Sequence, residues 1–208
     1  MFTRKIYGGE VFVLSTQLKY SKKCFKGIFY LDRDGVIIED YGYVGQVHRV
    51  KLIDGAASFI KACKLKQILT AVVTNQSGIG RGYYSWNDYI EVTEEINRLL
   101  GVDSHPDIII ACSTSPKDNK IGNYYRKPET GMIEYIRREF LCVEQLNEYL
   151  AGDKESDILC GIKANIANIF HVLTGHGHEE RAAIDRYLNK SHNIMQVNSI
   201  AQLVDWIS

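Results

Sequence analysis

The sequence predicts an α/β fold: a doubly wound, Rossmann-like parallel sheet with helices on both faces. Three observations carry this. Short apolar runs of strand length recur along the chain, segments of helical period separate them, and polar residues with chemical potential follow the runs directly. At 208 residues the chain can bury one substantial core, and strand alternating with helix implies right-handed crossover units.

Residues 1–24 read as an appended N-terminal arm or hairpin, with a strand at Val11-Phe12-Val13-Leu14, ahead of an α/β domain over 25–208. Ile28–Leu31 is the first strand of the regular pattern. Ala57, Ile60 and Leu65 mark a helix within 54–66, and Leu69–Thr74 is the next strand. Ser85-Trp86-Asn87-Asp88 sets a hydroxyl N-cap three residues before an acid, opening a helix along Tyr89, Val92, Ile96, Leu99 and Leu100. Ile108–Cys112 is a strand, and Pro128 is suited to start the helix marked by Ile133, Ile136, Phe140 and Leu141. The weaker run Glu148–Ala151, then Ile169–Leu173 and Ile194–Val197, complete the sheet. Ser199 caps a last helix through Ile200, Leu203, Val204 and Ile207. Residues 36–52 are too few for a large cap domain and suffice for a small flap, in which Tyr41, Tyr43 and His48 are candidates to touch a substrate.

Lys plus Arg and Asp plus Glu both number 25, so the formal charge is zero. No basic run stands clear of acids; Lys19, Lys22, Lys23 and Lys26 read as a sparse solvated face. Neither a nucleic-acid partner nor an anionic-membrane surface is expected. No apolar stretch is long enough to span a bilayer, and Met1-Phe2-Thr3-Arg4-Lys5 lacks the core of a signal peptide, so a cytoplasmic location is expected. The five cysteines, Cys24, Cys63, Cys112, Cys142 and Cys160, form no Cys-x-x-Cys pair, which fits a reducing compartment. Cys63, Cys142 and Cys160 lie among apolar neighbours and read as small core hydrophobes. Oligomeric state has no signature in the chain.

In open α/β sheets ligands gather outside the carboxyl ends of the strands, so the residues after each run should converge. Asp32 and Asp34 follow the first run and project to one side if strand geometry persists. Two like charges there require a cation or a shared proton. A hard, oxygen-seeking ion such as Mg2+ suits them, with one acid free to attack or to move a proton. The loop from Thr74 to Gly82 can offer a hydroxyl and backbone N–H groups to phosphate oxygens. Loop 113–125 ends in Arg126-Lys127-Pro128, whose two cations can neutralise an anion. Gly152-Asp153-Lys154-Glu155-Ser156-Asp157 places two acids four apart, able to complete a metal site or cap a helix. Acids, a hydroxyl and a lysine past successive strands are what phosphoryl transfer requires. His176-Gly177-His178 has no clear third ligand and reads as a polar loop.

This order of motifs resembles the haloacid dehalogenase superfamily of phosphohydrolases over roughly residues 25–208. Asp32-x-Asp34-Gly35-Val36 matches the first motif, Thr74 the second, Lys127 the third and Gly152-Asp153-x-x-x-Asp157 the fourth. Within it, the blocks Leu31–Ile37, Gly42–Val44, Thr74–Ile79 with Arg81-Gly82-Tyr83, and Arg126–Pro128 with Gly131-Met132 are similar to the D-glycero-D-manno-heptose 1,7-bisphosphate and histidinol-phosphate phosphatases, the Ser77–Tyr83 wording fitting the heptose enzymes better. The resemblance implies a Mg2+-dependent phosphatase acting through an aspartyl-phosphate on Asp32, with Asp34 as proton donor and acceptor. It implies metal ligands from the Asp32 carboxylate, the Asp34 carbonyl and Asp153, with Asp157 behind them orienting Lys127. Thr74 and Asn75 would hold phosphoryl oxygens, Lys127 would offset charge, and Arg126, less strongly Arg81, would grip a phosphosugar. Such relatives usually carry a zinc-stapled loop, Cys-x-His-x-Pro and later Cys-x-Cys. Here the stretch reads Cys112-Ser113-Thr114-Ser115-Pro116 and Asn123-Tyr124-Tyr125, and a lone thiol cannot hold structural zinc, so none is expected. Packing through Tyr124 and Tyr125 is the expected substitute. A receiver-like signalling domain would lack the acid at Asp34, and an inactive scaffold would not keep all four motifs.

Overall fold

The computed structural model describes residues 3–15, 25–115, 121–141, 146–188 and 193–207. Cys24, Cys142, Lys19, Lys22, Lys23 and positions 116–120 of the expected loop lie outside the described residues. Eight strands form one sheet: β1 (Thr3–Tyr7), β2 (Val11–Ser15), β3 (Gly27–Leu31), β4 (Ile68–Asn75), β5 (Ile108–Cys112), β6 (Asn147–Gly152), β7 (Asn168–Val172) and β8 (Asn193–Val197), in the spatial order β1-β2-β5-β4-β3-β6-β7-β8. From β5 to β8 every neighbouring pair is parallel, whereas β1 and β2 form an antiparallel hairpin laid along β5.

Among the described residues, six α-helices accompany the sheet: α1 (Ala56–Leu65), α2 (Ser77–Gly80), α3 (Trp86–Leu100), α4 (Gly131–Phe140), α5 (Glu155–Lys163) and α6 (Gly177–Asp185). The period-two alternation of β3 divides the core. Phe29 and Leu31 enter one apolar cluster with α1 and α3, through Phe59, Ile60, Tyr89 and Val92. Ile28 and Tyr30 enter the opposite cluster with α4, α5 and α6, through Ile133, Ile136, Ile158 and Ile184. Each large apolar side chain so buried contributes about 1.5–3 kcal/mol. Truncating Phe29, whose ring lies 5.0 Å from Phe59 and 5.7 Å from Phe170, would open the first cluster at its centre.

Helix α3 starts with the expected reciprocal cap: the Ser85 N–H donates to Asp88 Oδ2 at 2.6 Å and the Asp88 N–H donates to Ser85 Oγ at 3.3 Å. Three expectations need correction. The last helix is a 3-10 segment, Ile200–Trp206, still capped by Ser199, because only Ile200 and Leu203 in it are buried and a three-residue period satisfies that pair. The fourth helix begins at Gly131 rather than at Pro128. The His176-Gly177-His178 stretch opens α6 instead of forming a loop, with His176 at the N-cap position. Residues 36–52 form the expected small flap, tied by isolated bridges from Ile38 to Asp34 and to Leu52. Cys63, Cys112 and Cys160 are buried and unpaired. No helix among the described residues is long and apolar enough to cross a membrane.

Candidate active site

Strands β4, β3 and β6 lie side by side, and the chain reaches β4 on one flank of β3 and β6 on the other, so the winding reverses beside β3. The carboxyl ends of these strands open onto a cleft of about 410 Å3 lined by residues that include Asp32, Asp34, Asn75, Arg126, Lys127 and Asp157.

Lys127 is the hub. Its backbone is clamped by one side chain: Asn75 Nδ2 donates to Lys127 O at 2.9 Å, and the Lys127 N–H donates to Asn75 Oδ1 at 3.0 Å. Its ammonium donates to Val73 O at 2.7 Å and stands 2.9 Å from Asp32 Oδ1 and 2.6 Å from Asp157 Oδ1. Burial opposes the charge of this 2 % exposed side chain, but Asp157 and Asp32 outweigh burial and push its pKa up. The ammonium is therefore held charged beside the acid at the end of β3.

Asp153, at the end of β6, is fully buried. Its Oδ2 accepts the His176 backbone N–H at 2.8 Å, while its buried Oδ1 accepts no hydrogen bond among the described residues. Its carboxyl is pushed up to about 8, chiefly by burial: Lys154 pulls it down, while Asp32 and Asp157 add to the rise. Two glycines make the space: Gly35 (φ +83) and Gly175 (φ +59) adopt left-handed backbone, and a Cβ at either would collide with the Asp153 carboxylate. Carboxylate oxygens of Asp32, Asp153 and Asp157 lie within 4.8 Å of one another. Three buried acids converging, one with an oxygen lacking a donor among the described residues, suit a hard divalent cation, and Mg2+ fits this all-oxygen donor set. Asp157 also faces Lys127 and accepts the Lys154 N–H on Oδ2 at 3.1 Å, so it both borders the acidic group and orients the lysine.

Asp34 is held by different partners. Arg33 Nη2 donates to its Oδ1 at 2.8 Å and Gln76 Nε2 to its Oδ2 at 2.8 Å. Strand geometry ends at Leu31, so the two acids leave the strand toward separate partners rather than as a matched pair. Thr74 is buried, its Oγ1 accepts from Gln76 at 2.8 Å, and it is not among the cleft-lining residues; its hydroxyl hydrogen has no acceptor among the described residues. Arg126 lines the cleft, with Nη1 donating to Thr114 O at 2.8 Å. Arg81 lies outside the lining, its guanidinium 5.7 Å from the centre of the Tyr43 ring. Tyr43 reaches the cleft; Tyr41 and His48 are not among its lining residues. Tyr124 and Tyr125 meet edge to face at 5.2 Å, and the loop is further held by Glu10, which accepts the Gly122 N–H at 2.8 Å.

Several residues at the cleft escape sequence reasoning. Asp40 of the flap receives Lys154 Nζ at 2.8 Å and stands 3.2 Å from His176 Nε2. Burial pushes the Asp40 carboxyl up, but Lys154, the Gly42 N–H and His176 outweigh it and hold it below the usual range. Burial likewise opposes the Lys154 charge, and Asp153, Asp32 and Asp40 push its pKa up. His176 Nδ1 stands 3.0 Å from Glu179 Oε2, so both ring nitrogens face acids rather than a metal. Arg33, Gln76 and Tyr84 also emerge only in three dimensions, although an arginine between two acids at a strand end signals an internal ion pair.

A family model described as Polynucleotide kinase 3 phosphatase matches residues 36–192. The D-glycero-alpha-D-manno-heptose-1,7-bisphosphate 7-phosphatase of Burkholderia mallei is 38 % identical over 143 residues, 66 % of this chain and 75 % of that protein. The corresponding beta-anomer 7-phosphatase of Helicobacter pylori strain J99 is 32 % identical over 181 residues, 86 % of this chain and 95 % of that protein. In three dimensions the chain matches the D,D-heptose 1,7-bisphosphate phosphatase of B. bronchiseptica, solved with magnesium and phosphate. The TM-score is 0.76 at 23 % identity, covering 87 % of this chain and 97 % of the other.

Proposed function

Because this chain belongs to the polynucleotide kinase 3 phosphatase family and is a phosphatase of the haloacid dehalogenase fold, we propose that it hydrolyses a sugar phosphate, D-glycero-D-manno-heptose 1,7-bisphosphate, through a covalent intermediate on Asp32. The observation that carries the reading is Lys127 buried between Asp32 and Asp157 at the foot of the cleft. Relatives named for either anomer of this substrate support the sugar. Zero net charge speaks against a polynucleotide.

Asp32 attacks phosphorus in line; the bond to the departing sugar oxygen breaks, and that oxygen takes a proton from Asp34. Asp34 then takes a proton from water, whose oxygen attacks phosphorus and releases inorganic phosphate from Asp32. Lys127 offsets charge on the phosphoryl oxygens, the Asn75 backbone N–H holds one of them, and Thr74 turns its free hydroxyl hydrogen toward another. Losing one such fixed donor costs about 3–4 kcal/mol of barrier lowering. Asp32, Asp153 and the Asp34 carbonyl would hold Mg2+, which would supply charge neutralisation at the transferring group. Arg126 grips the sugar or its second phosphate, and Arg81, set back against Tyr43, acts at longer range. No zinc is needed in loop 113–125. The reaction suits a cytoplasmic enzyme of phosphosugar metabolism.

Phosphate release with Mg2+ is the test, run on heptose bisphosphate, histidinol phosphate and short sugar monophosphates, with Asp32→Asn as control. Heptose bisphosphate should be hydrolysed fastest and Asp32→Asn should be inactive. Faster turnover of histidinol phosphate would overturn the substrate, and an active Asp32→Asn would overturn the mechanism.

A further inference from the structure

Beside Asp34, along the cleft wall, runs a part-buried polar chain of Gln76 and Tyr84 to which the mechanism above gives no task. Gln76 uses its whole amide. Its Nε2 donates to Asp34 Oδ2 and to Thr74 Oγ1, both at 2.8 Å, and its Oε1 accepts the Tyr84 hydroxyl at 2.5 Å. With Nε2 donating to Asp34 Oδ2 the N–H2 edge faces the carboxyl, and the Tyr84 hydroxyl donating to Oε1 from the far side holds that polarity against an amide flip. The Tyr84 ring is seated by absent side chains: a Cβ at Gly45 would stand 2.5 Å from its Cγ, and one at Gly78 would collide with its Cε1.

The other carboxylate oxygen is fixed by Arg33, which donates to Oδ1 from Nη2 at 2.8 Å and from Nε at 3.1 Å. Arg33 is itself immobilised 5.2 Å from the centre of the Tyr89 ring and by a bond from Nη2 to Val44 O at 3.3 Å. Asp34 is thus gripped on both oxygens, while its side chain still borders the cleft. Rotation of the carboxylate about its own bond is what this grip prevents.

We propose that Gln76 and Tyr84 are positioning residues for proton transfer: the Tyr84–Gln76 pair locks the Asp34 carboxyl plane so that the proton lies toward the departing oxygen. The inference rests on the reading of Asp34 as proton donor. As the Asp32–phosphorus bond forms and the bond to the leaving oxygen breaks, the electron pair on that oxygen takes the Asp34 proton. A misaligned carboxyl slows this only where the leaving group needs the proton. An alkoxide leaving group needs it; p-nitrophenolate, a stable anion, does not.

The experiment measures leaving-group release in a single turnover for a sugar phosphate and for p-nitrophenyl phosphate, in wild type, Asp34→Asn, Gln76→Ala and Tyr84→Phe. A general acid contributes about 100- to 10,000-fold, so misaligning it should remove on the order of tenfold or more. Both relay variants should lose that factor with the sugar phosphate, lose less than about threefold with p-nitrophenyl phosphate, and keep KM. Tyr84→Phe removes one oxygen and keeps the ring, so it reads the relay even if Gln76→Ala folds poorly. Equal slowing of both substrates would assign the pair a structural role and overturn the inference. If Asp34→Asn shows the leaving-group bias and the relay variants do not, the relay alone falls. If Asp34→Asn shows no bias, the donor assignment falls and the inference with it.

Discussion

Replacing Lys127 by methionine keeps most of the side-chain volume and deletes its charge. The deleted ammonium is buried and stands 2.9 Å from Asp32 and 2.6 Å from Asp157. Removing one partner from a buried ion cluster costs about 3–5 kcal/mol, because the remaining charges are stranded. Domains of ordinary stability have about 5–15 kcal/mol in hand, so the variant folds with a much reduced margin. Without the ammonium, Asp157, whose carboxyl burial already pushes up, takes a proton more readily than in the wild type. A carboxyl whose folded pKa exceeds its unfolded value of about 3.9 contributes fully below that value and loses the contribution as pH rises through the folded pKa. Urea unfolding in metal-free buffer should therefore show a gap between wild type and Lys127→Met that is smaller at about pH 5 than at about pH 7.5. Phosphatase kcat should fall on the order of 100- to 1,000-fold, the loss expected of one fixed donor. A gap that stays constant or widens toward pH 5, or a kcat within about threefold of wild type, would refute the placement of Lys127 as the charge that holds this site together.

Mg2+ should raise the melting temperature of the wild type, and Asp153→Asn should abolish that rise, since ligand stabilisation scales with occupancy of the folded state. Its carboxyl is pushed up to about 8, above an unfolded value of about 3.9, so metal-free wild type loses stability as pH rises through that interval and Asp153→Asn should not. Melting curves at several pH values, with and without Mg2+, check both statements. Glu10→Ala should loosen the loop that carries Arg126, because a backbone N–H bonded to a carboxylate contributes about 1.5–3 kcal/mol and here it anchors Gly122. Faster amide exchange over 121–125, with a raised KM and an unchanged kcat, is the expected outcome.

The sheet was legible because its central strands are buried on both faces and so read as unbroken apolar runs, as Ile28–Leu31 and Ile108–Cys112 do. The acids and the lysine were legible because each stands directly after such a run, and the fold brings strand ends together. Arg33, Asp40, Gln76, Lys154 and His176 were not. Arg33 acts from behind the cleft on its neighbour Asp34, and the others reach the cleft through partners 8 to over 130 residues away; local pattern carries none of this. Helix α6 was missed because its first turn, Gly177-His178-Glu179-Glu180, has no apolar stripe; Gly177 and Ile184 alone are buried in it. The 3-10 form of residues 200–206 was hidden because short apolar spacings at three and four fit either helix. The hydrogen bonds of Glu10 to the loop likewise depend on the hairpin lying along β5, a pairing between segments a hundred residues apart.

The moorings of the flap have a consequence for selectivity. Asp40 is fastened to Lys154 and His176, the first directly following Asp153 and the second giving Asp153 its backbone N–H. To swing outward, the flap would have to break an ion pair buried on its Asp40 side and disturb the backbone around that carboxylate as well. The mouth of the cleft therefore has a preset aperture. On the proposed reading, a phosphate ester that fits this aperture binds with a smaller ordering cost than one that must close a loose lid.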